Sequence, residues 1–174
     1  IKILLDHGLP FSVRAAIDFD ARLDQAGASK FLEFYTDRLR FILGKKGFAY
    51  DEVDAVLATG ADNPTDALSR VEALHQVRES PALFAIAAAF KRIKNILKQA
   101  DFSEAGTVDT EGMEPEEEAL AKLVAELRPR VEESAASGDY PKALGEMAAL
   151  HPVLEAFFDK ILVMHEDPAI KNRR

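Results

Sequence analysis

The chain has 174 residues, of which 48% are hydrophobic, and a formal net charge of -8, so its size is that of one folded domain or slightly more. It contains no cysteine, which excludes disulfides and thiolate metal sites and is typical of a reducing compartment. No apolar run approaches the ~20 residues of a membrane-spanning helix, so a cytoplasmic protein is expected, and the net negative charge disfavours indiscriminate binding to nucleic acids.

Three helical segments are predicted before residue 47. Residues 1–9 have the composition of a helix end closed by Gly8. The chain begins with Ile instead of Met, which predicts that it is a piece of a longer polypeptide. Residues 10–25 form a second predicted helix, ended by Gly27, with Val13 and Ile17 facing inward and Phe19 as a third candidate. Residues 29–46 form the third, whose apolar face is expected to carry Phe31, Leu32, Tyr35, Leu39 and Ile42 or Leu43.

The middle of the chain contains the strongest helical pattern. Asp51 begins a short predicted helix, and Asn63 with Pro64 gives the next one a side-chain cap and a proline at its first position. In residues 80–99, which Ser80 can cap, apolar residues recur at spacings of three and four. This recurrence predicts one helical stripe buried against neighbouring helices, made of Leu83, Ile86, Phe90, Ile93 and Leu97.

The C-terminal part is predicted to be helical after a loop. Residues 101–114 contain two glycines and no periodicity, so we expect a loop there. Helices follow at residues 116–136, with a kink or restart at Pro129, at residues 140–150, and from Pro152 onward. Asp167 and Pro168 have the pattern of a last helix start. Because no alternating strand pattern is bounded by hairpin turns, the predicted fold class is all-α, a helical bundle of about eight or nine helices.

The sequence carries no signature of a catalytic site. A glycine-rich phosphate loop, an HExxH helix and a nucleophile-elbow serine are absent, and the four histidines are scattered. His165, Glu166 and Asp167 bring ligand-type side chains together, but their spacing matches no metal-binding pattern and falls where one helix should end and another begin. We therefore predict a capping role for this cluster and no metal site.

Residues 80–99 also hold four cations and no acid, in a chain that is acidic as a whole. Lys91, Lys94 and Lys98 fall on the side opposite the apolar stripe, and Arg92 and Asn95 fall on its flank. Such a face suits the phosphates of RNA. A solvated face on an otherwise buried helix is the plainer interpretation.

Arg38 and Arg40 are candidates for a second basic strip, in the helix predicted over residues 29–46. Residues two positions apart on a helix point about 200° away from each other. One of the two arginines is therefore expected to face another helix and pair with an acid. Aromatic residues that could stack on bases, Phe34, Tyr35 and Phe48, lie nearby in the sequence, although core packing is their more ordinary use.

Three segments carry motifs of one known family. Residues 31–58 read FLEFYTDRLRFILGKKGFAYDEVDAVLA, residues 90–98 read FKRIKNILK after an alanine-rich run, and residues 157–173 read FFDKILVMHEDPAIKNR. In order and spacing they resemble FxxxRLRxxLxxxGxxxDxxxAVLA, KRxxNIL and FFDxVxVMxEDxxxRxNR in the C-terminal region of the bacterial glycyl-tRNA synthetase β subunit. The third motif adds Asn172 and Arg173 to the candidate RNA-binding residues.

The resemblance implies a C-terminally truncated helical anticodon-binding domain over residues 29–174, of the type shared with arginyl-tRNA synthetase. It also implies the tail of a preceding HD-like helical domain over residues 1–28. In that family the α subunit attaches the amino acid, with ATP and Mg at its active site, and the β subunit holds the tRNA. Glycine tRNA and the α subunit are therefore the implied partners, and neither catalysis nor a cofactor is expected in this chain by itself. A helical protein-interaction module without RNA affinity is the alternative.

If the basic face binds an anticodon loop, its residues divide by their chemistry. Glycine anticodons end in two cytosines by the genetic code, and cytosine offers an amino donor and ring acceptors. Asn95 can donate and accept, and Arg92 donates from a rigid fork, so these two are predicted to read bases. Lys91, Lys94 and Lys98 are predicted to hold phosphates, which sets orientation and reads no sequence. Packing is the alternative use of the KRxxNIL motif.

Overall fold

The structure, a computed structural model, describes residues 1–20, 24–100, 112–167 and 170. Within those ranges it holds nine α-helices and no strand, which confirms the predicted all-α fold class. The chain divides into two compact units, Ile1–Gln76 and Val77–Arg174. Most of the loop predicted at residues 101–114, and the last helix predicted from Asp167 and Pro168, lie outside the described residues.

Five of these helices belong to the first unit. They are α1 (Lys2–Asp6), α2 (Val13–Phe19), α3 (Gln25–Lys45), α4 (Tyr50–Ala58) and α5 (Pro64–Val77). Side-chain caps set the beginnings of three of them. The side-chain oxygens of Ser12, Asp24 and Asn63 each accept a hydrogen bond from a backbone N–H two or three residues further on, at 2.7–3.0 Å. The predicted cap at Asn63 is therefore confirmed.

α3 begins earlier than the sequence predicts. Gly27 is predicted to end a helix, but it lies in the first turn of α3, where its N–H donates to the Asp24 carboxylate at 2.7 Å. This local cap outweighs the low helix propensity of glycine. α2 ends correspondingly early, at Phe19, whose side chain is 92% exposed, so the inward orientation considered for it is wrong.

The core of the first unit gathers apolar side chains from all five helices. Tyr35, Leu39 and Leu43 form its α3 wall, as predicted, and both leucines are fully buried, whereas the predicted core residue Phe31 is 45% exposed. Side chains of α1 and α2 share this core, so residues 1–20 pack together with α3, α4 and α5. The assignment of residues 1–28 to an HD-like domain stays a prediction.

Asp62 ties the beginning of α2 to the turn before α5. Its carboxylate accepts hydrogen bonds from the Arg14 N–H and the Ser12 hydroxyl, both at 2.7 Å, and its carbonyl accepts one from the Val13 N–H at 3.1 Å. These hydrogen bonds, led by the one from Arg14, lower the pKa of Asp62. The ionised carboxylate therefore stabilises the fold at neutral pH, and this contribution is lost as the pH falls through the lowered pKa.

Tyr35 joins α3 to the same turn. Its hydroxyl donates to the Ala61 carbonyl at 2.7 Å, and its side chain is buried. Burial first, and the negative charge of Asp62 second, raise the pKa of Tyr35 to about 12. The neutral phenol is therefore the form that the fold requires.

This raised pKa predicts a loss of stability at alkaline pH. Because an exposed tyrosine titrates near 10, the contribution of Tyr35 is fully present below about pH 10 and is lost as the pH rises toward about 12. Near-ultraviolet phenolate absorbance, compared between the unmodified chain and Tyr35→Phe, should show Tyr35 titrating toward about pH 12, above the ~10 of a tyrosine in water. Tyr35→Phe should flatten this part of the pH–stability curve and cost about 1 kcal/mol at neutral pH. Titration of Tyr35 near the ~10 of a tyrosine in water would contradict the buried hydrogen bond.

The second unit is built around α7 (Pro115–Ala136), which packs against α8 (Tyr140–Ala148) and α9 (His151–Lys160). Lys160 of α9 pairs with Glu116 in the first turn of α7, and this hydrogen bond lowers the pKa of Glu116. Arg130 of α7 donates to Glu146 of α8 at 3.4 Å. α7 continues through Pro129 as one helix, so the restart predicted there does not occur.

α6 (Pro81–Ala100) is a helix as predicted, but its apolar stripe is not buried. Phe90, Leu97 and Ile93 are 66%, 44% and 37% exposed, and the other two members of the stripe are half-buried. The side of α6 that faces α9 is instead formed by small residues, among them Ala85 and Ala89. The prediction of a buried stripe is wrong because periodicity identifies an apolar face but not the element that covers it.

Candidate nucleic-acid interface

The candidate interface is the cationic side of α6. The Ser80 hydroxyl accepts from the Leu83 N–H at 3.2 Å and fixes the beginning of the helix, as predicted. Helical spacing then places Lys91, Lys94 and Lys98 on one side, which we call the lysine face. All three lysines are exposed, and none of them forms an ion pair with any of the described residues. The lysine face is therefore a positive surface in an acidic chain.

Arg92 points away from the lysine face and toward α9. Its guanidinium carbon lies 4.2 Å from the centre of the Phe158 ring, and its Nη2 atom donates to the Phe158 carbonyl at 3.4 Å. This cation–π contact holds the guanidinium against one aromatic side chain, while the arginine as a whole stays exposed. The sequence places Arg92 beside the lysines but gives no indication of its partner on α9.

Asn95 connects these two groups. It lies one helical turn from Lys91 and Lys98 on one side and one turn from Arg92 on the other. Its side chain is exposed and makes no hydrogen bond to any residue that the structure describes. Arg92, Asn95 and the lysine face thus form a continuous polar strip along α6, and the roles predicted for its members stay predictions.

A cleft of about 220 Å³ lies between α6 and α9 and is called the α6–α9 cleft below. Its α6 wall consists of Arg92 and three small residues, Ala85, Ala88 and Ala89. Its α9 wall includes Phe158 and two carboxylates, Glu155 and Asp159. Because the alanines leave space and the arginine supplies donors opposite carboxylate acceptors, the cleft can hold a small planar group with hydrogen-bonding edges.

The two carboxylates of the cleft differ in their bonding. Glu155 lies 3.2 Å from His151 Nε2, one helical turn away on α9. Asp159 makes no hydrogen bond or ion pair with another described residue, so both of its oxygens can accept. Spacing in the sequence does not reveal these two acids, because they lie more than 60 positions from Arg92 and only the packing of α9 on α6 brings them together.

Arg38 and Arg40 belong to α3, in the first unit. Arg40 donates to Asp37 at 2.6 Å and to Asp54 of α4 at 2.8 Å, so the predicted pairing of one arginine with an acid on another helix is observed. The hydrogen bond to Asp54 is the main cause that raises the pKa of Arg40. Arg38 lies 5.3 Å from the centre of the exposed Phe41 ring and stays a candidate RNA contact.

The remaining sequence-based candidates lie at the C-terminus. Asn172 and Arg173 are outside the described residues. Within the predicted capping cluster, the Asp167 N–H donates to His165 Nδ1 at 3.0 Å, which is the kind of local hydrogen bond found in turns. In the part of the chain that the structure describes, no group of three or more His, Cys, Asp or Glu side chains could hold a metal ion. None of the described helices has the length and apolar character needed to cross a membrane.

Comparisons with known proteins assign the second half of the chain to a known family. Residues 86–174, more than half of the chain, match the DALR anticodon binding domain family, and this range contains the lysine face and the α6–α9 cleft except for Ala85. The whole chain is 40% identical to the glycine–tRNA ligase beta subunit of Acidobacterium capsulatum and 35% identical to that of Methylobacillus flagellatus. It covers 27% and 26% of those proteins, so it spans about a quarter of the length of the curated relatives it matches. The chain therefore belongs to the family of DALR anticodon-binding domains.

Proposed function

We propose that this chain binds the anticodon loop of glycine tRNA as part of a cytoplasmic glycyl-tRNA synthetase β subunit. The observation that carries the proposal is the lysine face, three exposed lysines without an acidic partner among the described residues, inside the range that matches an anticodon-binding family. Three neighbouring positive charges attract phosphates even though the chain as a whole is acidic, because this attraction acts over a short range. The lysine face holds the loop backbone, and Arg92 and Asn95 meet its bases.

The rest of the reaction belongs to other parts of the enzyme. In this proposal the α subunit attaches glycine to the tRNA and binds the ATP and Mg that the reaction needs. This chain contributes binding energy and orientation and uses no cofactor of its own. Its partners are therefore glycine tRNA and the α subunit.

Binding to glycine tRNA and to a non-cognate tRNA, measured at two salt concentrations, tests the proposal. We expect tighter binding of the glycine tRNA at both salts, because base contacts persist when the phosphate contacts are screened. We also expect affinity for both tRNAs to fall steeply as salt rises. Equal affinities with equal salt dependence would remove the claim of anticodon reading, and no detectable binding at low salt would remove the whole proposal.

The exposed stripe of α6 favours a second candidate function. Phe90, Ile93 and Leu97 present adjacent apolar side chains that are 66%, 37% and 44% exposed, and apolar patches of this kind often mark protein interfaces. A helical protein-interaction module would use this stripe and leave the lysine face solvated. Capture of the α subunit, or self-association on a sizing column, combined with no affinity for tRNA would favour this candidate.

A further inference from the structure

The α6–α9 cleft has the features of a site for a single base. Its volume of about 220 Å³ is below the range of pockets that hold drug-sized ligands, so it suits a smaller planar group. The alanines of α6 leave this space open. Since bases of single-stranded RNA loops can be splayed out of the stack, a base is the group that an anticodon-binding unit would bring to it.

Arg92 provides the stacking surface. Its guanidinium is already positioned against the Phe158 ring at 4.2 Å and donates to the Phe158 carbonyl at 3.4 Å, so part of its conformational freedom is lost before a ligand binds. RNA-binding proteins stack unpaired bases on guanidinium planes as well as on aromatic rings. A base entering the cleft would therefore meet Arg92 beside Phe158 and could stack on the guanidinium.

Asp159 provides the carboxylate that recognises the base. It lines the same cleft, and its oxygens are not engaged by any other described side chain. A carboxylate accepts hydrogen bonds and donates none, so it favours a base edge with an amino group and disfavours one with a carbonyl. Cytosine and uracil differ in this way, because cytosine carries an amino group where uracil carries an oxygen.

We propose that the α6–α9 cleft binds one of the two anticodon cytosines, with the base stacked on Arg92 and its amino group donating to Asp159. This inference rests on the proposed function, which brings an anticodon loop to α6. The lysine face lies on the neighbouring side of the same helix, with Asn95 between it and Arg92, so one strand of RNA can contact the lysines and insert a base into the cleft. Specificity for cytosine then comes from α9, and attraction for the backbone comes from α6.

The test uses the 174-residue chain and stem-loop RNAs that carry the glycine anticodon loop, with either cytosine replaced by uracil. We expect the unmodified chain to prefer cytosine at one of the two positions on the order of tenfold. Asp159→Asn should bring that ratio close to one, because the amide can donate to the uracil oxygen. Arg92→Lys should weaken binding of all the loops alike, since stacking tolerates any base.

A matched control separates base reading from the change in net charge. Glu132→Gln removes one exposed acid from α7 and should leave the ratio of cytosine to uracil affinities unchanged. Asp159 lies in the last turn of α9, where a negative charge is unfavourable, so Asp159→Asn should not weaken the fold, and helical circular dichroism checks this.

The outcomes distinguish this inference from the proposed function. Stem-loop binding with an unchanged cytosine preference in Asp159→Asn would overturn the cleft site and leave anticodon binding in place. Equal affinities of the unmodified chain for every loop would also overturn it. Absence of any RNA binding at low salt would overturn both proposals together.

Discussion

Leu39→Ala is expected to lower the free energy of unfolding of the first unit by about 2–5 kcal/mol. Leu39 is fully buried in the core that all five helices of that unit share, so its removal leaves a cavity that no single helix can close. This loss is a large fraction of the 5–15 kcal/mol that stabilises a typical domain. Urea denaturation followed by circular dichroism, together with hydrogen exchange of the α3 and α4 amides, measures it.

Phe34→Ala is the matched control for this substitution. Phe34 lies on the same helix but is 68% exposed, so its replacement should change the free energy of unfolding by about 0.5 kcal/mol or less. Phe90→Ala on α6 should also have a small effect, because that side chain is 66% exposed. Equal losses from Leu39→Ala and Phe34→Ala would show that α3 packs through a different face.

Removing the lysine face is expected to have the largest effect on RNA binding. Each phosphate contact contributes about 0.7–0.9 to the slope of log affinity against log salt, so replacement of Lys91, Lys94 and Lys98 by Ala should reduce the slope by about two to three units. Affinity for cognate and non-cognate tRNA should fall alike, since phosphates carry no sequence information. Titrations of both tRNAs over several salt concentrations measure the slope and the two affinities.

A second triple variant controls for net charge. Lys122, Arg128 and Lys142 are exposed on α7 and α8, and their replacement by Ala removes the same three positive charges from the same unit. We expect this control to change the slope much less, because these residues do not share one face. A slope that falls equally in both variants would mean that only the total charge matters, and the lysine face would lose its assigned role.

The sequence predicts the existence of helices better than their surroundings. Leu39 and Phe90 both lie on apolar stripes with the same periodicity, yet one is fully buried and the other is 66% exposed. The difference depends on which elements pack nearby, and spacing within one segment contains no such information. Helix ends were predictable where a cap stands alone, as at Asn63, and were mispredicted where the Asp24 cap competes with Gly27.

The candidate site also has a part that the sequence predicts and a part that only the packing of helices determines. The lysine face follows from helical spacing alone, because residues three and four positions apart share a side of the helix. The surroundings of Arg92 do not, since Phe158 and Asp159 reach it only through the packing of α9 on α6. The sequence predicts only that one of the two arginines pairs with an acid, and it does not identify Asp54, because the partner helix cannot be identified from one segment.

Pro129 has a mechanical consequence for the second unit. Proline lacks a backbone N–H, so the Ala125 carbonyl has no donor four residues further along α7, and one rung of the hydrogen-bond ladder is missing. α9 is attached before this rung, through Glu116 and Lys160, and α8 is attached after it, through Arg130 and Glu146. The hydrogen bonding of α7 is therefore weakest between its contact with α9 and its contact with α8. Because a missing rung resists bending less, a bend of α7 at Pro129 would change the angle between α8 and α9.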